Sequence, residues 1–390
     1  MLEVTDGASL FLEGAIDNTG VIAVDGTGDR TSLVADSGDV TLSGGGSVVL
    51  GAAGLNIVTG YTSAMTLTNL DNTISGAGQL GSGTMRLVNG AAGVIDANAS
   101  VGLILDTVGE TVTNAGLIEA TGAGGLVIRN TSIDDSGGGV ILAGSGSHIA
   151  LQGADLIGGT LESAGTGAIK TYQGGSNTLD GRASALDNEG KVVVQNGTAL
   201  TVEGAIVNTN RIDLISSGSL TTLTIGAAGA TLSGGGAVVL TANANNVITG
   251  ASSAATLTNV DNNISGAGLL GAGAMTLVNQ AKGVINANRA NAMTIDTGGN
   301  IILNAGIIEA TGAGGLTIAG DIFNTGLLKV AGGTLTVNGS VGGNGGGVGA
   351  GVIVGGTLYF KGAFNQNVFF KGATGVLESG VFFLAGTRAG

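Results

Sequence analysis

The sequence predicts an all-β protein, a single-stranded parallel β-helix (β-solenoid) with negligible helix. Three observations support this prediction: the chain repeats itself, a short Asn-x-Gly theme recurs about every 20 to 25 residues, and none of the 390 residues is proline. Apolar residues alternate with polar ones in short runs, as at 335–337, and no window shows the spacing of an amphipathic helix. With roughly 20 residues per turn, we expect about 18 to 20 turns.

The internal repeat divides the chain into two modules. Residues 41–130 align without a gap with residues 231–320. Because repeats of this kind stack on their neighbours, we expect one continuous rod. The predicted first module is 1–190, with a repeat core at 1–130 and a diverged segment at 131–190; the second is 191–390, with a core at 191–320 and a diverged segment at 321–390 whose C-terminal end is rich in aromatic residues.

Asparagine and glycine mark the predicted turns, because both residues tolerate a positive φ angle. The missing proline fits the same interpretation, since a proline would remove one backbone hydrogen bond from a continuous ladder. An antiparallel sandwich or barrel is the second candidate fold, but both tolerate proline in loops. The predicted structural turn residues are Asn18, Gly20, Asn114, Gly116, Asn188, Gly190, Asn208, Asn304, Gly306, Asn324 and Gly326.

Composition excludes several classes of function. The chain lacks cysteine, which rules out disulfides and thiolate metal sites, and its net charge of −14 argues against nucleic acid as a partner. No apolar run approaches the roughly 18 residues of a transmembrane helix. The first residues, 1–4, carry no basic segment ahead of an apolar one, so no signal peptide is visible.

The repeats resemble bacterial surface proteins built of β-strand repeats, including autotransporter passengers and filamentous-haemagglutinin-like adhesins. The motifs that carry the resemblance are the Asn-x-Gly-x-Ile units, the Leu-Ser-Gly-Gly-Gly blocks at 42–46 and 232–236, the Ile-Ser-Gly-Ala-Gly segments at 74–78 and 264–268, and the segment 356–378. The resemblance implies a right-handed parallel β-helix that acts in adhesion, aggregation or biofilm structure. It also implies that the chain is secreted or displayed on the cell surface as part of a larger exported protein.

Two glycine- and aspartate-rich motifs resemble ligand sites. A G-x-G-x-x-G pattern occurs at 76–81 and 266–271, but without a following helix it predicts a turn rather than a dinucleotide site. Asp25, Asp29, Asp36 and Asp39 could suggest calcium. The second module has Ile215, Ser219, Gly226 and Gly229 at these positions, and we therefore predict neither a metal nor a cofactor.

A polysaccharide-active β-helix enzyme, a lyase or hydrolase, is the alternative function. Such enzymes need carboxylates close together, often with a basic residue nearby. Asp134 aligns with Asn324, so we interpret the Asp134–Asp135 pair as a variant of the asparagine turn, and we interpret His148 as a surface or turn residue. The carboxylates shared by the two copies, which are well separated in sequence, are Glu13/Glu203, Asp71/Asp261, Asp106/Asp296 and Glu119/Glu309.

Threonine and aromatic residues suggest two surfaces. Thr-x-Thr pairs are typical of ice-binding solenoids, a further alternative, but their spacing is irregular: Thr66/Thr68, Thr222/Thr224, Thr256/Thr258 and Thr334/Thr336. Aromatic side chains crowd the C-terminal end, where they either cap the solenoid or form an apolar contact. These residues are Tyr359, Phe360, Phe364, Phe369, Phe370, Phe382 and Phe383.

Taken together, the sequence predicts a non-catalytic extracellular β-solenoid that serves as a stalk, an adhesin or a matrix component. Host-surface or matrix glycans and proteins are the expected partners. Met1 aligns with Lys191, which directly follows the Asn188–Gly190 corner. We therefore expect the chain to begin partway through one coil of the solenoid and to leave backbone groups at that edge unpaired. End-to-end self-association into filaments is therefore a further expectation.

Overall fold

The alternating apolar residues form short parallel strands, and the predicted fold class is confirmed. A computed structural model describes residues 1–63, 65–107, 109–343, 350–370 and 375–378. Within these residues the chain is all-β, with 43 strands and no helix. The strands stack as a β-solenoid of about 15 turns.

The chain divides into two compact units, Met1–Val193 and Val194–Gly390. The strands of the first unit, the last of which ends at Val194, are β1 (Leu2–Val4), β2 (Ser9–Asp17), β3 (Val21–Val24), β4 (Thr31–Ser43), β5 (Ser47–Leu50), β6 (Asn56–Gly60), β7 (Thr66–Asn69), β8 (Thr73–Gly76), β9 (Gly78–Gly81), β10 (Arg86–Asn89), β11 (Val94–Asp96), β12 (Leu103–Leu105), β13 (Val112–Asn114), β14 (Leu117–Ala120), β15 (Leu126–Asp134), β16 (Val140–Ala143), β17 (His148–Ile157), β18 (Gly159–Ser163), β19 (Ala168–Thr171), β20 (Thr178–Asn188) and β21 (Lys191–Val194).

The second unit repeats the pattern. Its strands are β22 (Ala199–Asn208), β23 (Arg211–Leu214), β24 (Thr221–Ser233), β25 (Ala237–Leu240), β26 (Asn246–Gly250), β27 (Thr256–Asn259), β28 (Asn263–Ser265), β29 (Gly268–Gly271), β30 (Thr276–Asn279), β31 (Val284–Ala287), β32 (Met293–Ile295), β33 (Ile302–Asn304), β34 (Ile307–Ala310), β35 (Leu316–Ile318), β36 (Ile322–Asn324), β37 (Leu327–Val330), β38 (Thr334–Val337), β39 (Val341–Gly342), β40 (Ala350–Ile353), β41 (Gly356–Phe360), β42 (Asn367–Phe370) and β43 (Gly375–Glu378).

Each unit has a core of apolar side chains stacked from one turn to the next. Because successive side chains of a strand point to opposite faces, every second residue of these short strands is buried. In-register pairing then places like residues above one another. One such buried column of the first unit is Ile22, Val48, Ile74, Ile95, Ile118, Ile141 and Leu161. The corresponding column of the second unit is Ile212, Val238, Ile264, Ile285, Ile308 and Leu328.

The turns differ in length, and their number is lower than the predicted 18 to 20. Paired residues are separated by 20 positions at Leu2↔Ile22 and by 27 positions at Gly159↔Leu186. Longer turns arise where residues protrude between two paired segments of one strand. In β4, for example, the register shifts opposite Leu12 and Gly14 of β2. Most turns are thus longer than the 20 residues assumed from the sequence.

In the part of the chain that the structure describes, no helix has the length and apolar character needed to cross a bilayer.

Candidate functional site

A column of buried amide side chains runs through the first unit. The Asn69 Nδ2 group donates to Asn89 Oδ1 at 2.9 Å, Asn89 Nδ2 donates to Asn114 Oδ1 at 2.8 Å, and Asn114 Nδ2 donates to Asp135 Oδ1 at 2.6 Å. All four side chains are fully buried. We call Asn69, Asn89, Asn114 and Asp135 the first amide ladder.

The second unit contains an equivalent column that ends differently. Each amide again donates to the next one, at 2.9 Å from Asn259 to Asn279, 2.8 Å from Asn279 to Asn304 and 2.7 Å from Asn304 to Asn324. Asn324 Nδ2 then donates to Gln366 Oε1 at 2.9 Å. We call these five residues the second amide ladder. Unlike the first, it consists of amides alone.

The ladder amides also bond to the backbone at the corner of their own turn. Asn89 Nδ2 donates to the carbonyl oxygen of Gly93 at 3.1 Å, and the N–H group of Gly116 donates to Asn114 Oδ1 at 3.2 Å. A buried backbone group without a partner would be costly, so the side chain that links two turns also satisfies the corner.

The predicted turn asparagines lie at these corners, but for a reason that the sequence did not reveal. None of them has a positive φ, and their side chains point inward, where burial is complete or nearly so. Two of them pair across a longer interval, since Asn18 donates to Asn72 at 2.8 Å and Asn208 to Asn262 at 2.7 Å. The others are Asn114, Asn188, Asn304 and Asn324.

The predicted turn glycines also have ordinary φ angles, and close approach of the backbone explains most of them. A Cβ atom at Gly116 would collide with the carbonyl oxygen of Gly90, and one at Gly326 with that of Gly306. Backbone atoms of the preceding turn also leave no room for a Cβ atom at Gly190 and Gly306. Gly20 differs, because nothing lies within 4 Å of a Cβ built there. The expectation that these glycines supply a positive φ is therefore wrong.

Of the two adjacent aspartates, Asp135 and not Asp134 occupies the position of the turn asparagine. Thr113 pairs with Asp134, which places Asp135 directly after Asn114 in the ladder. Asp134 instead accepts a hydrogen bond from the N–H group of Ser136 at 3.0 Å. An ungapped alignment matched Asp134 with Asn324 because the interval from Asn114 to the next ladder position is one residue longer in the first unit.

The G-x-G-x-x-G motifs form corners between strands. Gly76, Gly78 and Gly81 have φ angles of 115°, 133° and 100°, and the segment continues as strand β9 with no helix. A Cβ atom at Gly76 would collide with the carbonyl oxygen of Leu50. The glycines at 266–271 adopt the same conformation. A pyrophosphate site would need a helix N-terminus at this point.

The four aspartates of the acidic cluster are exposed or half-exposed. Asp25 and Asp29 lie in the loop between β3 and β4, whereas Asp36 and Asp39 lie within β4, where its register against β2 shifts. Asp36 Oδ1 accepts from the N–H group of Ser37 at 2.8 Å. No group of three or more histidine, aspartate or glutamate side chains able to hold a metal ion occurs among the described residues.

Asp6, which is not among the predicted site residues, organises the loop that contains Asp29. Asp6 Oδ1 accepts hydrogen bonds from the N–H groups of Thr27, Gly28 and Asp29, at 2.8 to 3.0 Å. These donors hold the pKa of the Asp6 carboxyl below its usual range. In the second unit Asn196 accepts from the N–H groups of the equivalent loop. Asp6 and Asn196 occupy the same position of the repeat, and this match is the sequence signal that could have identified them.

The carboxylates shared by the two copies serve local structure. Asp71 Oδ1 accepts from the N–H group of Gly45 at 3.0 Å, and Asp261 Oδ1 accepts from that of Gly235 at 2.9 Å. The two contacts are equivalent, so this pair holds the same loop in each unit.

The second shared pair has a different partner in each unit. Asp106 forms an ion pair of 2.7 Å with Arg129. Asp296 accepts instead from the N–H group of Gly298 at 2.9 Å. Glu13, a member of another shared pair, accepts from the Ser37 hydroxyl at 3.0 Å.

One shared pair has contrasting electrostatic surroundings. Glu119 lies in register with Asp96, and burial together with the Asp96 charge raises the pKa of Glu119. Its copy Glu309 lies between Asn286 and Lys329, and Lys329 Nζ forms an ion pair with it at 2.8 Å. The first unit thus pairs two carboxylates, and the second pairs a carboxylate with a cation.

His148 is the first residue of strand β17 rather than part of a turn, and it is half-buried. Burial, reinforced by the charge of Lys170, lowers the pKa of the imidazole. Its ring centroid lies 6.4 Å from that of Tyr172.

The C-terminal aromatic residues are only partly described. Phe360 is buried and stacks on Phe364, with ring centroids 3.9 Å apart. Tyr359 is half-buried, and Phe369 is 51% exposed. Phe370 ends β42. The predicted contact residues Phe382 and Phe383 lie outside the described residues.

The threonine pairs do not form continuous rows. Thr66 pairs with Arg86 and Thr68 with Val88 on the next turn. Thr258 likewise pairs with Val278. An ice-binding surface needs one threonine pair per turn in register, which these strands lack.

No known protein family matches this sequence, and neither a curated protein nor a solved structure shows significant similarity to it. The likeness to bacterial β-strand-repeat surface proteins therefore stays a prediction from the repeat motifs.

Proposed function

We propose that the chain is a non-catalytic structural or adhesive β-solenoid, secreted or displayed on the cell surface. The observation that carries this proposal is the use of its recurrent polar residues. The asparagines of both amide ladders link one turn to the next, and the carboxylates common to the two copies mainly hold loops or form ion pairs.

Continuous ladders favour a mechanical or display role. Every amide in the interior of a ladder both accepts from one neighbour and donates to the next, so the turns are joined by side chains as well as by backbone pairing. Such turns present regularly spaced side chains to solvent. Host-surface or matrix glycans and proteins are the proposed partners.

One set of assays on the full chain distinguishes an adhesive role from cleavage of a polysaccharide. Beads coated with the protein are tested for saturable attachment to matrix glycoproteins and acidic polysaccharides, with albumin-coated beads as the control. We expect attachment that leaves the polysaccharide intact. Sedimentation of the same preparation tests self-association. Absence of both attachment and self-association would contradict the proposal.

A polysaccharide-active enzyme is the second candidate, and the in-register carboxylates Asp96 and Glu119 are the observation that favours it. A raised pKa suits a general acid, and Glu119 has one. The test is release of new chain ends from acidic polysaccharides, with Glu119→Gln as the inactive control. Cleavage that Glu119→Gln abolishes would replace the structural proposal by an enzymatic one.

A further inference from the structure

Asp135 is the one carboxylate in the two amide ladders. Its place in the second unit is taken by Asn324, which accepts from Asn304 and donates to Gln366. Asp135 is fully buried, and its Oδ1 atom accepts from Asn114 at 2.6 Å. Its Oδ2 atom is buried and has no hydrogen-bond partner within the described structure.

The missing contact is one that an amide supplies elsewhere. Nδ2 of Asn89 and of Asn279 donates to the carbonyl oxygen of the glycine four residues later, Gly93 or Gly283, at 3.1 Å. Oδ1 of Asp135 accepts from the preceding amide as Oδ1 of Asn89 does, and it lies against Gly139 as Asn89 Oδ1 lies against Gly93. Oδ2 of Asp135 therefore takes the place of the amide nitrogen, and the glycine four residues later is Gly139. A carboxylate oxygen can only accept, whereas a protonated carboxyl can donate.

The corner after Asp135 depends on the same residue. The N–H groups of Gly138 and Gly139 both donate to the carbonyl oxygen of Asp135, at 2.9 and 3.0 Å. A Cβ atom at Gly159 would collide with the Asp135 Cβ atom, so the next turn packs tightly on this side chain. A change in the charge of Asp135 therefore acts directly on the corner 135–139.

Burial raises the pKa of Asp135 to about 7, with the hydrogen bond from Asn114 opposing this rise and the Asp134 charge adding to it. No ion pair to Asp135 occurs in the described part of the chain, and Asp134 is the charged neighbour that acts on it. The other charged or titratable side chains on the strands at this corner and packed against it are Glu119 on β14, Arg129 on β15, His148 and Asp155 on β17, Glu162 on β18, and Asp180, Arg182 and Asp187 on β20.

We propose that Asp135 makes the first amide ladder a pH-dependent joint: the neutral carboxyl closes the ladder as a donor, and the carboxylate weakens the corner 135–139. An aspartate that keeps its proton in the folded state stabilises that state relative to an unfolded chain, whose carboxyl ionises near pH 4. This stabilisation is complete below about pH 4 and declines as the pH rises to about 7. The second ladder, which lacks a carboxylate, has no such dependence.

Hydrogen exchange measured by mass spectrometry between pH 5 and 8.5 tests the joint, after correction for the intrinsic exchange rate. We expect protection in β15 and β16 to fall by up to about tenfold per pH unit until near pH 7 and then to level off. Peptides covering β36 and β37 serve as the internal control and should keep constant protection. Equal behaviour of the two regions would overturn the proposal.

Two variants distinguish titration of the Asp135 carboxyl from the effect of the neighbouring Asp134 charge. Asp135→Asn restores an amide to the ladder, and its protection should no longer depend on pH. Asp134→Asn, the matched control, should keep the transition but shift it to slightly lower pH, because one repelling charge is removed. Retention of the full transition in Asp135→Asn would show that another group titrates.

A direct measurement does not rely on folding of a variant. The infrared absorption of a protonated carboxyl should persist in the wild-type protein at pH 6, where exposed aspartates are ionised. Absence of that absorption at pH 6 would overturn the proposal even if neither variant folded.

Discussion

Asn89 makes four hydrogen bonds through one amide group. It accepts from Asn69 and donates to Asn114, to the carbonyl oxygen of Gly93 at 3.1 Å and, at 3.3 Å, to that of Leu117. One of the two N–H groups is thus shared between two acceptors. A side chain without an amide cannot reproduce this set, because only an amide offers an acceptor oxygen and two N–H donors in one plane. Its position in the ladder is therefore chemically specified.

Replacement of Asn89 by alanine should destabilise the protein by about 3 kcal/mol, because buried polar groups on both neighbours lose their partner. The measurement is the free energy of unfolding in denaturant. Asn98→Ala is the control, since Asn98 is exposed, and it should change stability by less than about 0.5 kcal/mol. Similar values for the two variants would show that the ladder contributes little.

Position and burial of the ladder residues are not equally visible in the sequence. The recurrence of Asn114 and Asn304 ahead of a glycine predicted a corner, and both lie at one. The same letters fit a solvent-exposed turn and an inward-pointing amide, and propensity favours the former. The two arrangements are distinguished only by the stacking of Asn259, Asn279 and Asn304 at one register position. That register depends on the lengths of the turns, which vary.

At the scale of the element, the corner between β8 and β9 shows why glycine recurs so densely. Gly76 and Gly78 combine a positive φ with backbone carbonyls where a side chain would lie, those of Leu50 and Asn56 respectively. Both constraints come from the neighbouring turn, so this corner is defined by stacking rather than by its own sequence.

Gly76→Ala should lower the free energy of unfolding by roughly 3 kcal/mol or more, since the new methyl group both strains φ and collides with Leu50. Gly20→Ala is the matched control: Gly20 has open space and an ordinary φ, so this variant should be neutral or slightly stabilising. Thermal unfolding followed by circular dichroism compares the two. Equal melting temperatures would refute the steric explanation.

The number of turns could not be predicted because some turns contain extra unpaired residues and others do not. In β4 and β24, 13-residue strands carry a register shift against their partners, which adds residues without adding a turn. Strand type and pairing direction follow from alternation and from the absence of proline, which the sequence displays directly. Loop length depends on packing at the corner, and the sequence does not show that packing directly.

For the whole molecule, the charge is strongly one-sided: 27 acidic against 13 basic side chains give a net charge of −14 at pH 7. This repulsion opposes association between copies. Protonation of about half of the carboxylates, near pH 4, would cancel it.

Light scattering should therefore rise as the pH falls from 7 toward 4, and salt should raise it at pH 7 by screening the repulsion. A chain with glutamines replacing several exposed glutamates should begin to associate at a higher pH. Scattering that is independent of both pH and salt would show that net charge does not control association.

The buried amides also bear on how the protein ages. Asparagine followed by glycine is the sequence most prone to lose its amide, because the next backbone nitrogen attacks the side-chain carbon. In Asn89–Gly90 that nitrogen already donates to the Asn69 carbonyl oxygen at 2.7 Å, and the side chain is fixed by the ladder. Asn338, which precedes Gly339, is exposed. After long incubation at neutral pH, peptide mapping should find deamidation at Asn338 well before Asn89, so that stacking extends the chemical lifetime of the interior.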